Sequence, residues 1–387
     1  MSPWRKRGLV IGVVLLTLIG AAAYRDGRSG RRVAAERMTN HEQDFDFSAP
    51  PCPPAGKPVK DGLRIAYLGV GGLLIEWRGA TLVSAPYYTR QGPFEALLGK
   101  LRVDADAIGR EVAGFEPQEW DTILSGHSHY DHLADVPELM TRHATSAQLW
   151  TNTSGANMLQ AFPEISDRVN VIAGGPAEWV RPAGRDGLPL PYRFAPLASE
   201  HAPHIYGYRY AHGSVGDHWP SWDDRAVRAM RDGRTSVFLV DLLDADGSVA
   251  FRIHFQDSAG AAEDAIPAEW IAERPTDLAI LCVPPHWHVE GYPENVLEAT
   301  RAPFVLAVHY EDFLQPLDRP LRFIRSLTDA RMDAFLQIVE TNTRERRAAT
   351  PVSPICGPVA DRWAIPLPGE WVGFEVSETA VLTSTTP

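Results

Sequence analysis

Apolar residues arrive along this chain in short runs broken by turn signals. Leu63-Arg64-Ile65-Ala66-Tyr67-Leu68, Leu73-Leu74-Ile75-Glu76-Trp77 and Ala80-Thr81-Leu82-Val83-Ser84 follow closely, with Arg78-Gly79 between the last two. Such spacing predicts antiparallel strands joined by tight turns. A helix is expected over 104–112 and a strand at Asp121-Thr122-Ile123-Leu124. Further on, strand candidates at 148–151, 169–172, 193–197, 236–242, 249–255, 278–283 and 304–308 alternate with helical stretches. Asp246-Gly247 predicts a hairpin between the fourth and fifth of these. Strands, then helices, then strands again predict packed sheets flanked by helices, an α+β fold. The tail after Thr341 reads as loop, with Trp371 to Val376 adding an edge strand.

The N-terminus has a different pattern. Arg5-Lys6-Arg7 precedes an uncharged run from Gly8 to Ala23, and Ala21-Ala22-Ala23 offers small residues for cleavage. The run is short against the roughly 20 residues that a membrane span needs. It is read as a signal peptide, with an uncleaved anchor as the alternative. Both place the body outside the cytoplasm, periplasmic or extracellular, with membrane association only through this segment. Residues 24–60 form a polar, then proline-rich linker around Pro50-Pro51-Cys52-Pro53-Pro54. The expected organisation is therefore 1–23 leader, 24–60 linker, 61–340 catalytic domain and 341–387 C-terminal extension packed on that domain.

Composition narrows the classes. The 387 residues are 44% hydrophobic, ample for a large core, and the net charge of −12 argues against a nucleic-acid partner. Of three cysteines, Cys282 lies in an apolar run and reads as core. Cys52 and Cys356 sit near the two ends of the body; an oxidising compartment would favour one disulfide between them, and two free thiols is the alternative.

The densest chemistry is His127-Ser128-His129-Tyr130-Asp131-His132, which follows the apolar run ending at Leu124. On extended backbone, His127 and His129 point the same way and can grip one metal ion. Asp131 and His132 come where a helix is expected to begin, so their side chains can turn toward a second ion. Further donors end later strands: His201 after 194–200, Asp257 before Ser258-Ala259-Gly260, and His309 after 304–308. His204 competes with His201, and the residue nearer the strand end is taken. His254, inside an alternating strand, reads as structural.

This order of donors resembles the metallo-β-lactamase superfamily over roughly Leu63 to Leu336. The resemblance implies an αββα four-layer sandwich and a metal-dependent hydrolase. It further implies one zinc on His127, His129 and His201, a second on Asp131, His132 and His309, and Asp257 bridging both, with Asp131 and Asp257 as the catalytic carboxylates. Tyr67-Leu68-Gly69-Val70-Gly71-Gly72 through Glu76, the Tyr130 spacer and Ala307-Val308-His309-Tyr310 resemble the branch containing N-acyl-phosphatidylethanolamine phospholipase D and the ascorbate-phosphate lactonase. Two departures stand out. Ala85-Pro86 replaces a frequent Asp-Pro, and Pro284-Pro285-His286-Trp287-His288 replaces a plainer loop.

Nitrogen and carboxylate donors without thiolate suit zinc, with iron or manganese as alternatives. Water held between two such ions loses a proton near neutral pH, which implies hydrolysis without a protein nucleophile. Gly-x-Ser-x-Gly is absent, which counts against a serine hydrolase. The segment 204–234 carries Tyr206, Tyr208, Tyr210, Trp219 and Trp222 and is expected to wall the pocket or pack beneath a long loop. Substrate contacts are expected from His204, Tyr206, His286, His288 and Tyr310. The leading expectation is an exported hydrolase of a phosphodiester or phospholipid-like ester. A carboxylic ester, lactone or lactam hydrolase and a non-catalytic exported metal-binding protein are the alternatives.

Overall fold

The computed structural model describes residue 52 and residues 62–172, 174–204, 208–324, 331–346, 353–357 and 362–376. The expected leader and most of the linker lie outside them. No helix among the described residues is long and apolar enough to cross a membrane.

Among the described residues, fourteen strands form two sheets. They are β1 Gly62–Gly69, β2 Gly72–Trp77, β3 Ala80–Ser84, β4 Thr122–Leu124, β5 Gln148–Thr151, β6 Val169–Val171 and β7 Tyr192–Ser199, then β8 Thr235–Leu243, β9 Val249–Gln256, β10 Leu278–Cys282, β11 Val305–Val308, β12 Ser353–Cys356, β13 Trp363–Ala364 and β14 Trp371–Glu375. The first sheet runs β12-β14-β1-β2-β3-β4-β5-β6 and the second β13-β11-β10-β9-β8-β7. Pairing is antiparallel from β12 to β3 and parallel from β3 to β6. In the second sheet β7, β8 and β9 are antiparallel, while β9, β10, β11 and β13 are parallel.

Alternation along the strands sets the layers. Leu63, Ile65 and Tyr67 of β1 face the same core as Phe238, Val240 and Leu242 of β8. The intervening Ala66 and Leu68 face the opposite way, onto Ile108, Val112, Leu139 and Met158 of the helical segments. Helix α1 spans Pro93–Leu98, α2 Ala105–Val112, α3 Tyr130–Leu133, α4 Val136–Glu138 and α5 Thr153–Leu159. Beyond the second sheet lie α6 Ala268–Glu273, α7 Glu294–Thr300 and α8 Met332–Thr343. Val296, Leu297, Phe335 and Leu336 of α7 and α8 cover β10 and β11, strands buried on both faces as parallel pairing requires. The order is thus helices, sheet, sheet, helices: the αββα sandwich expected. Each buried Leu, Ile or Phe at these faces contributes about 1.5–3 kcal/mol.

Two local expectations change. Trp371–Glu375 is not an edge strand, because β14 pairs with both β1 and β12. Its short alternating sequence gave no hint of a second partner. The position where the C-terminal extension was expected to begin falls inside α8, whose buried Val339 and Thr343 continue one face across it. Cys52 and Cys356 are disulfide-bonded, tying the start of the body to β12. Cys282 is buried and free.

Candidate metal centre

Strand ends deliver the donors to one rim between the sheets. Beyond β4, Ser125 Oγ donates to the carbonyl of His127 at 2.8 Å. Ser128 N donates to the carbonyl of Asp232 at 3.0 Å and Ser128 Oγ to that of Arg231 at 2.8 Å. Asn152 Nδ2 also donates to Asp232 O, at 2.8 Å, so the turn between the two histidines is pinned from outside. His127 and His129 therefore present their rings together, 5.0 Å apart, as their spacing predicts. His201, after β7, lies 4.6 Å from each ring. These three offer donor atoms within 4.8 Å of one another.

The helical turn α3 carries the second group. Asp131 Oδ2 lies 3.6 Å from His132 Nε2 and 3.5 Å from His309 Nε2, and the two imidazole nitrogens are 3.3 Å apart. Asp257, after β9, reaches into both groups. Its Oδ1 is 3.1 Å from His127 Nδ1 and its Oδ2 is 3.6 Å from His132 Nδ1. Gly126 N donates to Oδ2 at 3.1 Å, and a Cβ on Gly126 would sit 2.7 Å from that oxygen. Gly71, in the β1–β2 turn, is held as close: a Cβ there would meet His132 Cε1 at 2.7 Å. Only glycine lets both backbones approach the cluster.

The electrostatics favour ion binding. Burial pulls His129 and His201 well below the usual imidazole range, and the neighbouring His127 adds to it, so both stay neutral donors. Burial and the neighbouring His127 lower His132 to about 4. His127 also feels burial, but Asp257 at Nδ1 outweighs it and raises the group. Burial alone would raise Asp131 and Asp257; the surrounding histidines overcome it and hold both carboxyls below their usual range. Nε2 of His127 and of His129 is buried without a hydrogen-bond partner. Orphaned imidazole nitrogens beside ionised carboxylates fit a divalent cation, and nothing in the donor chemistry opposes one.

Several positioning residues had no place in the sequence reading. Glu311 accepts from Val70 N at 2.6 Å, from Arg90 Nη2 at 2.7 Å and from the Tyr67 hydroxyl. Tyr67 in turn accepts from His309 N at 2.9 Å. Burial would raise Glu311, yet Arg90 and these donors keep it ionised. The chain Arg90–Glu311–Tyr67 holds His309 at φ 61°, a left-handed conformation rarely adopted by a residue with a side chain. Glu311 was visible as a carboxylate just past a buried strand; nothing in the sequence marked Arg90. Asp135 reaches the segment that follows Ala85-Pro86. It accepts from Tyr88 N at 2.6 Å and Thr89 N at 2.9 Å, which clamps that segment to the turn after α3.

The expected substrate residues divide. His204 joins the rim, stacked 4.7 Å from His201 and 5.7 Å from His129. Tyr206 lies outside the described residues. Tyr310 is fully buried, packs on Tyr67 and Phe323 and donates its hydroxyl to Pro366 O, so it is not placed to touch a substrate. His286 is buried against Phe335 of α8, and His288 lies on Trp287. His254 bonds Gln256 inside the sheet, as a structural histidine does. Of the 204–234 aromatics, Trp219 and Trp222 pack beneath the segment, while Tyr208 and Tyr210 line a cleft of about 1020 Å3. Tyr210 connects cleft and cluster, its ring 6.4 Å from His129.

No family model matches the chain. No curated protein matches it either. Among solved structures, it is similar to a metallo hydrolase from the hyperthermophilic archaeon Ignicoccus hospitalis, at 18% identity over 82% of this chain and 100% of that one, with a TM-score of 0.44. A metallo-β-lactamase fold protein from Bacillus subtilis matches at 12% identity over 81% and 98%, TM-score 0.42. A diiron β-hydroxylase from Streptomyces venezuelae matches at 13% identity over 75% and 52%, TM-score 0.42. At such values the likenesses do not carry chemistry onto this chain. That rests on its own donors, whose two groups could each hold a metal ion.

Proposed function

We propose that this chain is an exported metal-dependent hydrolase acting on an anionic ester, foremost a phosphodiester or phospholipid-like one. The observation that carries the reading is Asp257, one carboxylate touching a histidine from each of two adjacent three-donor groups. His127, His129 and His201 would hold one ion, and Asp131, His132 and His309 the other. Zinc suits these donors, with iron or manganese as alternatives. Ions bound there supply Lewis acidity and lower the pKa of water for attack on the ester.

The chain's own residues do the rest. Burial keeps His129, His132 and His201 neutral and available, and the histidines keep Asp131 and Asp257 ionised. Glu311 and Tyr67 fix the direction of His309, and Asp232 and Asn152 that of the His127–His129 turn. The cleft beside Tyr210 supports an anionic substrate with an apolar part. Arg209, paired with Glu200, and Arg228 and Arg231 line it together with Leu98 and Tyr208, which are 64% and 66% exposed, and among the described residues no acidic side chain lines it. In a chain of net charge −12, that local reversal of sign favours an anion. The resemblance of the opening hairpin to the phospholipase D and lactonase branch supports the same substrate class. The Cys52–Cys356 disulfide and the basic, then apolar N-terminus support export.

The test is metal analysis followed by a substrate panel. About two ions per chain are expected, with turnover of bis-nitrophenyl phosphate above that of nitrophenyl acetate and nitrocefin. Preference for the carboxylic ester or lactam would move the reading to that class. Absence of bound metal would end it.

A further inference from the structure

His204 lies three residues beyond His201 yet belongs to neither of these donor groups. Its ring is held from several sides. His204 N donates to Tyr208 O at 2.8 Å, and Tyr210 N donates to His204 Nδ1 at 3.0 Å. The ring stacks on His201 with 17° between planes. The bond from Tyr210 decides the tautomer. A ring nitrogen that accepts carries no proton, so the hydrogen sits on Nε2. A metal ion needs a free lone pair, and in this tautomer neither nitrogen has one. Nε2 has no hydrogen-bond partner among the described residues. The ring lies 4.7 Å from that of His201 and 5.7 Å from that of His129, both of the first donor group.

From this geometry we infer that His204 is a catalytic hydrogen-bond donor: Nε2–H contacts an oxygen of the ester undergoing cleavage, on the side of the first donor group. The inference rests on the hydrolase reading, whose site it completes. A donor fixed before the substrate arrives needs no reorganisation as charge develops on that oxygen, which is why removing one such donor typically lowers turnover by about 10²–10³-fold.

The experiment uses the full metal-loaded protein and two variants. His204→Phe keeps an aromatic ring against His201 without a donor; His204→Gln keeps an N–H. Metal content, inorganic phosphate affinity by calorimetry, and steady-state kinetics are measured on all three. His204→Phe is expected to retain the wild-type metal content, to bind phosphate at least about tenfold more weakly and to lose about 10²-fold in kcat with little change in KM. His204→Gln is expected to recover part of both losses. Loss of one ion in His204→Phe, matching His201→Ala, would make His204 a ligand and overturn the inference. Unchanged phosphate affinity and turnover would reduce it to packing. Should no ester be hydrolysed by the wild type while phosphate binding still falls in His204→Phe, the hydrolase reading fails and the donor stands. Hydrolysis unaffected by either variant leaves the reading and removes the donor.

Discussion

The two halves of the centre are built differently. His127, His129 and His201 are all imidazoles; burial keeps His129 and His201 neutral while Asp257 raises His127, and Nε2 of His127 and of His129 has no partner among the described residues. Asp131, His132 and His309 include a carboxylate that already lies 3.5–3.6 Å from both imidazole nitrogens. The first group ends on the segment leading into the cleft, whereas His309 is locked by Tyr67, Glu311 and Arg90. The contrast teaches that one half can be rigid and charge-compensated while the other has no carboxylate of its own and adjoins the cleft. A cation bound at the first group gains its countercharge from Asp257; at the second it also has Asp131.

The largest effect should come from the residue shared by both halves. Asp257→Ala is expected to reduce ion content at both groups and kcat/KM by at least about 10³-fold, roughly 4 kcal/mol. Full occupancy of either group in that variant would break the link between them. His129→Ala should abolish turnover in a folded protein while the second group keeps its ion. Retained activity would show the site misassigned. Glu311→Gln strikes only the second half. Leaving buried Arg90 without its partner should cost about 3 kcal/mol of stability, read from denaturant unfolding. Loss of the orienting bond should weaken the second ion about 10–100-fold and spare the first. Equal weakening of both would erase the distinction. The smallest change is expected at the cleft, where Arg228 is exposed and has no partner among the described residues. Arg228→Ala should raise KM for anionic esters by up to about fivefold, less at high salt, with neutral esters unaffected.

Much of this was legible from residue order. Short apolar runs around the Arg78-Gly79 turn and the Asp246-Gly247 turn predicted strands that the structure contains, and Asp104 caps a helix close to the one expected at 104–112. The seven donors named from HxHxDH and later strand ends do lie in mutually close sets. Other readings failed for a physical reason: a side chain's direction depends on packing. Tyr310 adjoins His309 in sequence, yet beyond the end of β11 its ring packs on Tyr67 and Phe323 in the core. Trp371 to Val376 reads as an edge because nothing local reveals β12 on its far side.

Local order thus determined the elements, the donor types and the strand ends that carry them, because alternation and spacing act over a few residues. Only the folded chain decided that Asp257 faces a histidine of each group, that Arg90 finds Glu311 across 221 positions, and that Tyr210 sets the proton of His204. Those contacts join segments that are remote in sequence, and their geometry exists only once the two sheets have packed.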